Sequence, residues 1–193
     1  MPQTKDTAPA RDVKRRLLEA AASLLQECGD PERITTRQIT ERAGTALGLV
    51  NYHFGSRSNL MAQAIETRMG QLAQGMLGTP GEGASPKEQL TQMLCGLVDF
   101  GAEYLPLMQT SVRHILATGA VDAQMTLLPL LRAHFGPKRA ESSIRLIAHQ
   151  MVTVLQLAAV HPDAFKLFTG YDLMDRAQRN QAITTIVDGH LGD

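Results

Sequence analysis

The chain has 193 residues, 44% of them hydrophobic and only 4% aromatic, enough for one sizeable helical core or a small domain beside a larger one. A formal net charge of zero argues against a polyanion-coating protein, and two cysteines in no CxxC pair argue against a disulfide framework. The charge is uneven, however: residues 1–60 carry nine Lys/Arg against seven Asp/Glu and the remainder ten against twelve, with most of the excess between Arg11 and Arg16.

The opening MPQTKDTAPA is polar and lacks a hydrophobic signal core, so residues 1–10 read as a disordered arm of a cytoplasmic protein. No apolar run approaches the roughly 20 residues that span a bilayer. A first helix is expected over residues 12–28, where Val13, Leu17, Ala21, Leu24, Leu25 and Cys28 recur at helical spacing before Gly29. Cys28 and Cys95 both fall on apolar stripes and read as buried free thiols.

Residues 34–60, ITTRQITERAGTALGLVNYHFGSRSNL, carry the clearest signal. Thr35 and Gln38 form a capping box, and Ile34 and Ile39 flank it as a hydrophobic staple. Gly44 stops this second helix. A third, over residues 46–52, is too short to stand alone and must be held by packing through Val50 and Phe54. Ser56 caps a fourth helix that runs to about residue 74, with Leu60, Ala64, Ile65 and Leu72 on its buried side. Two short helices, a tight turn and a capped exit make a helix-turn-helix, whose second helix enters the major groove of DNA. Candidate contacts are Thr35, Thr36 and Arg37 at the start of the second helix, then Thr45, Ala46, Leu47, Gly48 and Asn51 on the outer face of the third. Tyr52, His53 and Arg57 are candidate phosphate contacts. Leu47 and Leu49 can touch thymine methyls, or one of them can be core. Gly48 costs helix stability and suits close approach to DNA.

Gly and Pro crowd residues 75–85, a loop or hinge. Ser85-Pro86-Lys87-Glu88 is a second capping box, and helices follow over residues 86–103, 106–118, 122–135, 138–161 and 172–190. The expected fold is all-α. A helix-turn-helix domain (11–56) precedes a larger helical ligand-binding and dimerisation domain (57–193). Met93, Leu97, Phe100, Tyr104, Met108 and Met125, with His114 and His149, suit an adaptable pocket for an apolar small molecule. Asp99 and Glu103 read as a solvated acidic face. The histidines have no HxxxH or HxxE spacing, and no GxSxG, P-loop or GxGxxG occurs. No catalytic residue, metal or cofactor is therefore expected.

The segment 11–66 resembles the N-terminal domain of the TetR family of bacterial regulators. The match rests on Arg-Arg-Leu-Leu-Glu-Ala-Ala at 15–21, Ile34-Thr35-Thr36-Arg37, Gly44, Tyr52-His53-Phe54, Ser56-Arg57 and Leu60. Two departures stand out: Ala46 where the family often has Ser, which passes the cap of the third helix to Thr45, and Asn51 where it often has Tyr. The resemblance implies a homodimer on palindromic double-stranded DNA, a repressor released by a small-molecule effector. It implies pairing of the last two long helices with their copies, through Ile144, Ile147, Met151, Val154, Leu155, Ala158, Ile183, Ile186 and Val187. The alternative is a helical protein-interaction module that no longer reads DNA.

Overall fold

A computed structural model describes residues 8–78 and 83–192. The described residues are helical and contain no strand. In chain order the helices are α1 (Ala8–Cys28), α2 (Thr36–Ala43), α3 (Gly48–Phe54), α4 (Arg57–Gly78), α5 (Pro86–Glu103), α6 (Leu105–Thr118), α7 (Asp122–Phe135), α8 (Glu141–Val160), α9 (Pro162–Thr169) and α10 (Arg176–Leu191). Short 3-10 turns lie at Pro31–Arg33 and Gly136–Lys138.

The chain divides into two compact units, Met1–Arg68 and Met69–Asp193. The division falls inside α4 and not at its start. Leu60, Met61, Ala64 and Ile65 explain this: all four are fully buried in the first unit. Leu17, Ala21 and Leu25 of α1, Ile34 and Ile39 around α2, and Val50 and Phe54 of α3 are buried with them. Helix α1 begins at Ala8, earlier than expected, so residues 8–10 are not a disordered arm; the rest of that arm lies outside the described residues.

In the second unit the core is built from α5, α7, α8 and α10. Leu90, Met93 and Leu94 meet Leu127, Leu128 and Leu131, and Ile144, Ile147, Ala148 and Met151 close over Ile183, Val187 and Leu191. The Ser85 capping box forms as expected: Ser85 Oγ accepts from the Glu88 amide at 3.3 Å while Glu88 Oε2 accepts from the Ser85 amide at 2.7 Å. That backbone hydrogen bond holds the Glu88 carboxyl below its ordinary pKa. The expected hinge is shorter than its composition suggests, since α4 runs to Gly78; residues 79–82 lie outside the described residues.

Two sequence expectations fail here. Residues 138–161 split into a 3-10 turn and α8, and α9 was missed, although Pro162 stands at its first turn. Asp99 is not on a solvated face. Its Oδ1 accepts from Arg179 Nε at 2.9 Å and Nη2 at 2.6 Å, and its Oδ2 from Arg176 Nε at 3.0 Å. Arg179 is 6% exposed and also donates through Nη1 to the Leu173 carbonyl at 2.6 Å. A buried guanidinium needs such a partner, and this pair ties α5 to α10 across 80 residues of sequence. Glu103 stays exposed. Helix α8 does have the length and composition of a bilayer span, contrary to expectation, but its apolar residues are largely core.

Candidate nucleic-acid interface

Helix α2 starts where its sequence dictates. Gln38 N donates to Thr35 Oγ1 at 3.2 Å, and Gln38 Oε1 accepts from the Thr35 amide at 2.7 Å and from its hydroxyl at 2.9 Å. The Thr35 hydroxyl is thus spent on the cap. Ile34 and Ile39 are both buried, as a staple requires. The helix stops at Gly44, whose φ of 60° is left-handed, and the Thr45 amide returns to the Thr40 carbonyl at 2.9 Å. This turn sets the angle between α2 and α3.

Helix α3 begins later than expected, at Gly48, with Leu47 at the capping position and no side-chain cap. The cap does not pass to Thr45: its Oγ1 is buried without a hydrogen-bond partner. Val50 and Phe54 anchor the helix inward, and Gly55, at φ 73°, ends it. Outward, Ala46, Leu47, Gly48, Asn51 and Tyr52 are exposed, Leu47 at 59% and Tyr52 at 77%. Leu49 is half-buried, so the two leucines separate. Residues 47, 48, 51 and 52 share one face of the helix, because neighbours on a helix surface are three or four positions apart. His53 sits beside it, edge-on to Tyr52 with ring centroids 4.9 Å apart.

Four ties hold this face. Arg57 Nε donates to the Ile34 carbonyl at 2.6 Å and its Nη2 to the Pro31 carbonyl, bolting the start of α4 to the entry of α2. Sequence reasoning read Arg57 as a phosphate contact; the structure turns at least half of its fork inward. Arg16 Nη1 donates to the Ala43 carbonyl at 3.2 Å, at the end of α2. Arg42 grips Glu27 through two bonds of 2.7 and 2.9 Å, which hold the Glu27 carboxyl down to about 2. Lys14, not singled out from sequence, lies 5.7 Å above the Phe54 ring, a cation–π contact that brings a charge from α1 to the end of α3. The basic Arg11–Arg16 cluster was the available clue. Arg37 projects from α2 with Nε bonded to Glu41 Oε1 at 2.8 Å, and Thr36 is half-buried beside it.

The C-terminal candidates divide differently. Met93, Tyr104 and Met108 are buried, Leu97 and Phe100 half-buried, and the Phe100 and Tyr104 rings lie 5.0 Å apart. A Cβ at Gly101 would stand 3.6 Å from Met108, an ordinary contact, so α5 and α6 pack there without requiring the glycine. His114, Met125 and His149 instead point to the surface. Of the nine residues expected to pair with a second copy, Ile144, Ile147, Met151, Ala158, Ile183 and Val187 are spent inside this chain's own core. Leu155 and Ile186 pack partly against that core, and Val154 alone is exposed. The outward apolar row of α8 is Leu146, Val154 and Leu157, and α9 adds Leu167 and Phe168, 90% and 92% exposed. Cys28 is exposed and Cys95 half-buried, against the expectation of two buried thiols. Burial, then Asp99 nearby, push the Cys95 thiol up.

A capped helix, a glycine turn and a short second helix with an open outer face form a helix-turn-helix of the DNA-binding kind. Residues 17–64 match the profile of the bacterial regulatory proteins of the tetR family, so the N-terminal domain of this chain belongs to the TetR family. The fold of the whole chain agrees. It is similar to FadR of Thermus thermophilus, a TetR-family transcriptional repressor solved with lauroyl-CoA, with TM-score 0.60, 16% identity, and 89% of this chain and 93% of that chain covered. A TetR transcriptional regulator from Rhodococcus sp. RHA1 gives TM-score 0.60 at 18% identity over 95% and 97% of the two chains. The TetR-family repressor AlkX of a Dietzia strain, implicated in biodegradation of n-alkanes, gives 0.55 at 16% over 92% and 94%. No curated protein matches the chain significantly.

Proposed function

We propose that the chain is a homodimeric transcriptional repressor that reads a palindromic operator through α3 and is released by an apolar small molecule. The observation that carries the DNA reading is the outer face of α3. Its side chains stand exposed, while Val50 and Phe54 beneath them are buried, α2 is capped and Arg57 ties α4 to the entry of α2. Thr36, Arg37, Tyr52 and His53 flank that face as backbone contacts, and Asn51 faces the bases. Two copies with reading helices about 34 Å apart would bind successive turns of one DNA face.

The outward row on α8, with Leu167 and Phe168 of α9, is where a second copy fits best, because that much exposed aliphatic and aromatic surface is unusual on a monomer. The effector is placed on the inner side of α5 and α6, against Phe100, Tyr104 and Met108. Two of the similar structures concern a fatty-acyl compound and alkane breakdown, which favours an apolar chain as ligand. Helix α4 contributes residues to both units, so a shift of it is the covalent route between effector and reading helix. A 100-fold loss of operator affinity needs a coupling of about 2.7 kcal/mol, ordinary for allostery.

In vitro selection of randomised duplex by the full chain tests this. Enrichment of a palindrome, with affinity that falls steeply as salt rises, is the expected result. Failure to enrich any duplex would return the chain to a protein-interaction role. Leu157→Glu should shift the native mass from dimer to monomer; a dimer that survives it moves the interface elsewhere.

A further inference from the structure

We infer that Leu47 reads the 5-methyl group of one thymine in each half-site, and so fixes a T·A pair there; this rests on the DNA-binding reading above. Leu47 is a large apolar side chain that the fold leaves uncovered. It leads into α3 with helical backbone angles (φ −53°, ψ −40°) and its side chain caps nothing. It is large, aliphatic and 59% exposed, while Leu49, two residues on, leans into the domain. The neighbouring Gly48 has an ordinary φ, and a Cβ on it would meet no atom of the chain within 4 Å. Neither backbone geometry nor internal packing requires that glycine, so the bare backbone beside Leu47 serves an outside surface.

The chemistry of the groove then selects the target. Base edges in the major groove offer hydrogen-bond donors and acceptors, and one apolar group, the thymine C5-methyl. A leucine on the entering face gains by covering that methyl. Over cytosine, adenine or guanine it would strip water from a polar edge and return nothing. Asn51, exposed one turn further along the same row, supplies the hydrogen bonds that Leu47 lacks.

The experiment replaces thymines of the selected operator one at a time by deoxyuridine, which pairs identically and lacks only the methyl. Affinities of the full chain and of Leu47→Ala are measured by fluorescence anisotropy. Burial of one methyl corresponds to about a fourfold change per half-site, so a symmetric double replacement should weaken the wild-type chain on the order of tenfold. That loss should occur at one thymine position per half-site. Leu47→Ala should bind the thymine and uracil duplexes alike, and about as the wild type binds uracil. Leu47 is exposed, so circular dichroism of the variant should match wild type. If no uracil position weakens the wild type, or if Leu47→Ala keeps the full thymine preference, the assignment of Leu47 is overturned while DNA binding stands. If no duplex is selected at all, the DNA reading itself fails, and this inference with it.

Discussion

Gly48→Ala should separate stability from DNA binding. Glycine in a helix costs about 1 kcal/mol against alanine. Gly48 opens α3 with an ordinary φ, and the added Cβ would find open space. The substitution should therefore stabilise the free protein by about 0.5–1 kcal/mol, less if the first turn frays. For a domain of this size that raises the N-terminal melting temperature by about 4 °C. The same methyl projects from the face proposed to enter the groove. A methyl forced into a closely packed contact costs about 1–3 kcal/mol, so affinity should fall roughly tenfold per half-site. Gly55→Ala is the control of opposite sign. Its φ of 73° puts an alanine in a strained region, so the domain should lose about 1 kcal/mol. Thermal unfolding by circular dichroism and anisotropy titrations of the selected operator read both effects. A Gly48→Ala chain that is more stable and binds DNA unchanged would refute the close approach. One that melts lower would refute the geometry given for α3.

Arg57→Ala should cost about 2 kcal/mol, because two carbonyls lose a charged donor. Arg57→Gln, which removes the charge as well as the fork, should melt nearly as low with an unchanged salt slope of DNA binding; a reduced slope would return Arg57 to the phosphates. Asp99→Ala strands the buried Arg179 and should lower the stability of the second unit by about 3 kcal/mol in urea unfolding. A loss like that of an ordinary surface pair, under about 1 kcal/mol, would mean that water reaches the guanidinium. Glu27 has its pKa depressed in the folded chain from 4.5 to about 2 by Arg42, so its contribution is full above pH 4.5 and disappears as pH falls toward 2. The gap in melting temperature between wild type and Glu27→Gln should close over that window, and a gap that is flat from pH 6 to pH 2 would show that the Arg42 pair does not stabilise the fold. The gap should be small, since both groups are solvent-exposed.

Local signals were legible and long-range ones were not. The capping boxes at Thr35 and Ser85 and the glycine stop at Gly44 lie within a few residues of what they control, and each forms as expected. Helical periodicity located α8 and α10 but could not say which stripe faces the chain's own core and which a second copy. Both stripes look alike, so Ile144, Ile147 and Met151 were assigned outward when they face in. The Asp99–Arg179 pair and the Arg57 bolt join residues 80 and 23 positions apart, and no pattern within one helix announces either. The charge of Arg57 suggested a phosphate; its geometry shows a free backbone carbonyl to be the partner at hand.

The composition of α3 also limits what the operator can be. The helix and its lead-in, Ala46 to Phe54, contain no Arg or Lys, so the commonest specific base contact, a cation held on guanine, is unavailable along it. What remains is Leu47, suited to a thymine methyl, and Asn51, whose amide matches adenine N6 and N7. Both favour A·T pairs, and they lie one turn apart on one row. Each read base pair is worth about 1–3 kcal/mol of discrimination, and specific sites exceed non-specific ones by about 4–10 kcal/mol. Two contacts in one copy fall short of most of that range, and four in a symmetric pair reach it. The half-site under α3 should therefore be rich in A·T pairs. Sequencing of the selected pool checks this directly. A guanine-rich centre to each half-site would mean that Arg37 leaves Glu41 to enter the groove, and that α2 rather than α3 supplies the discrimination.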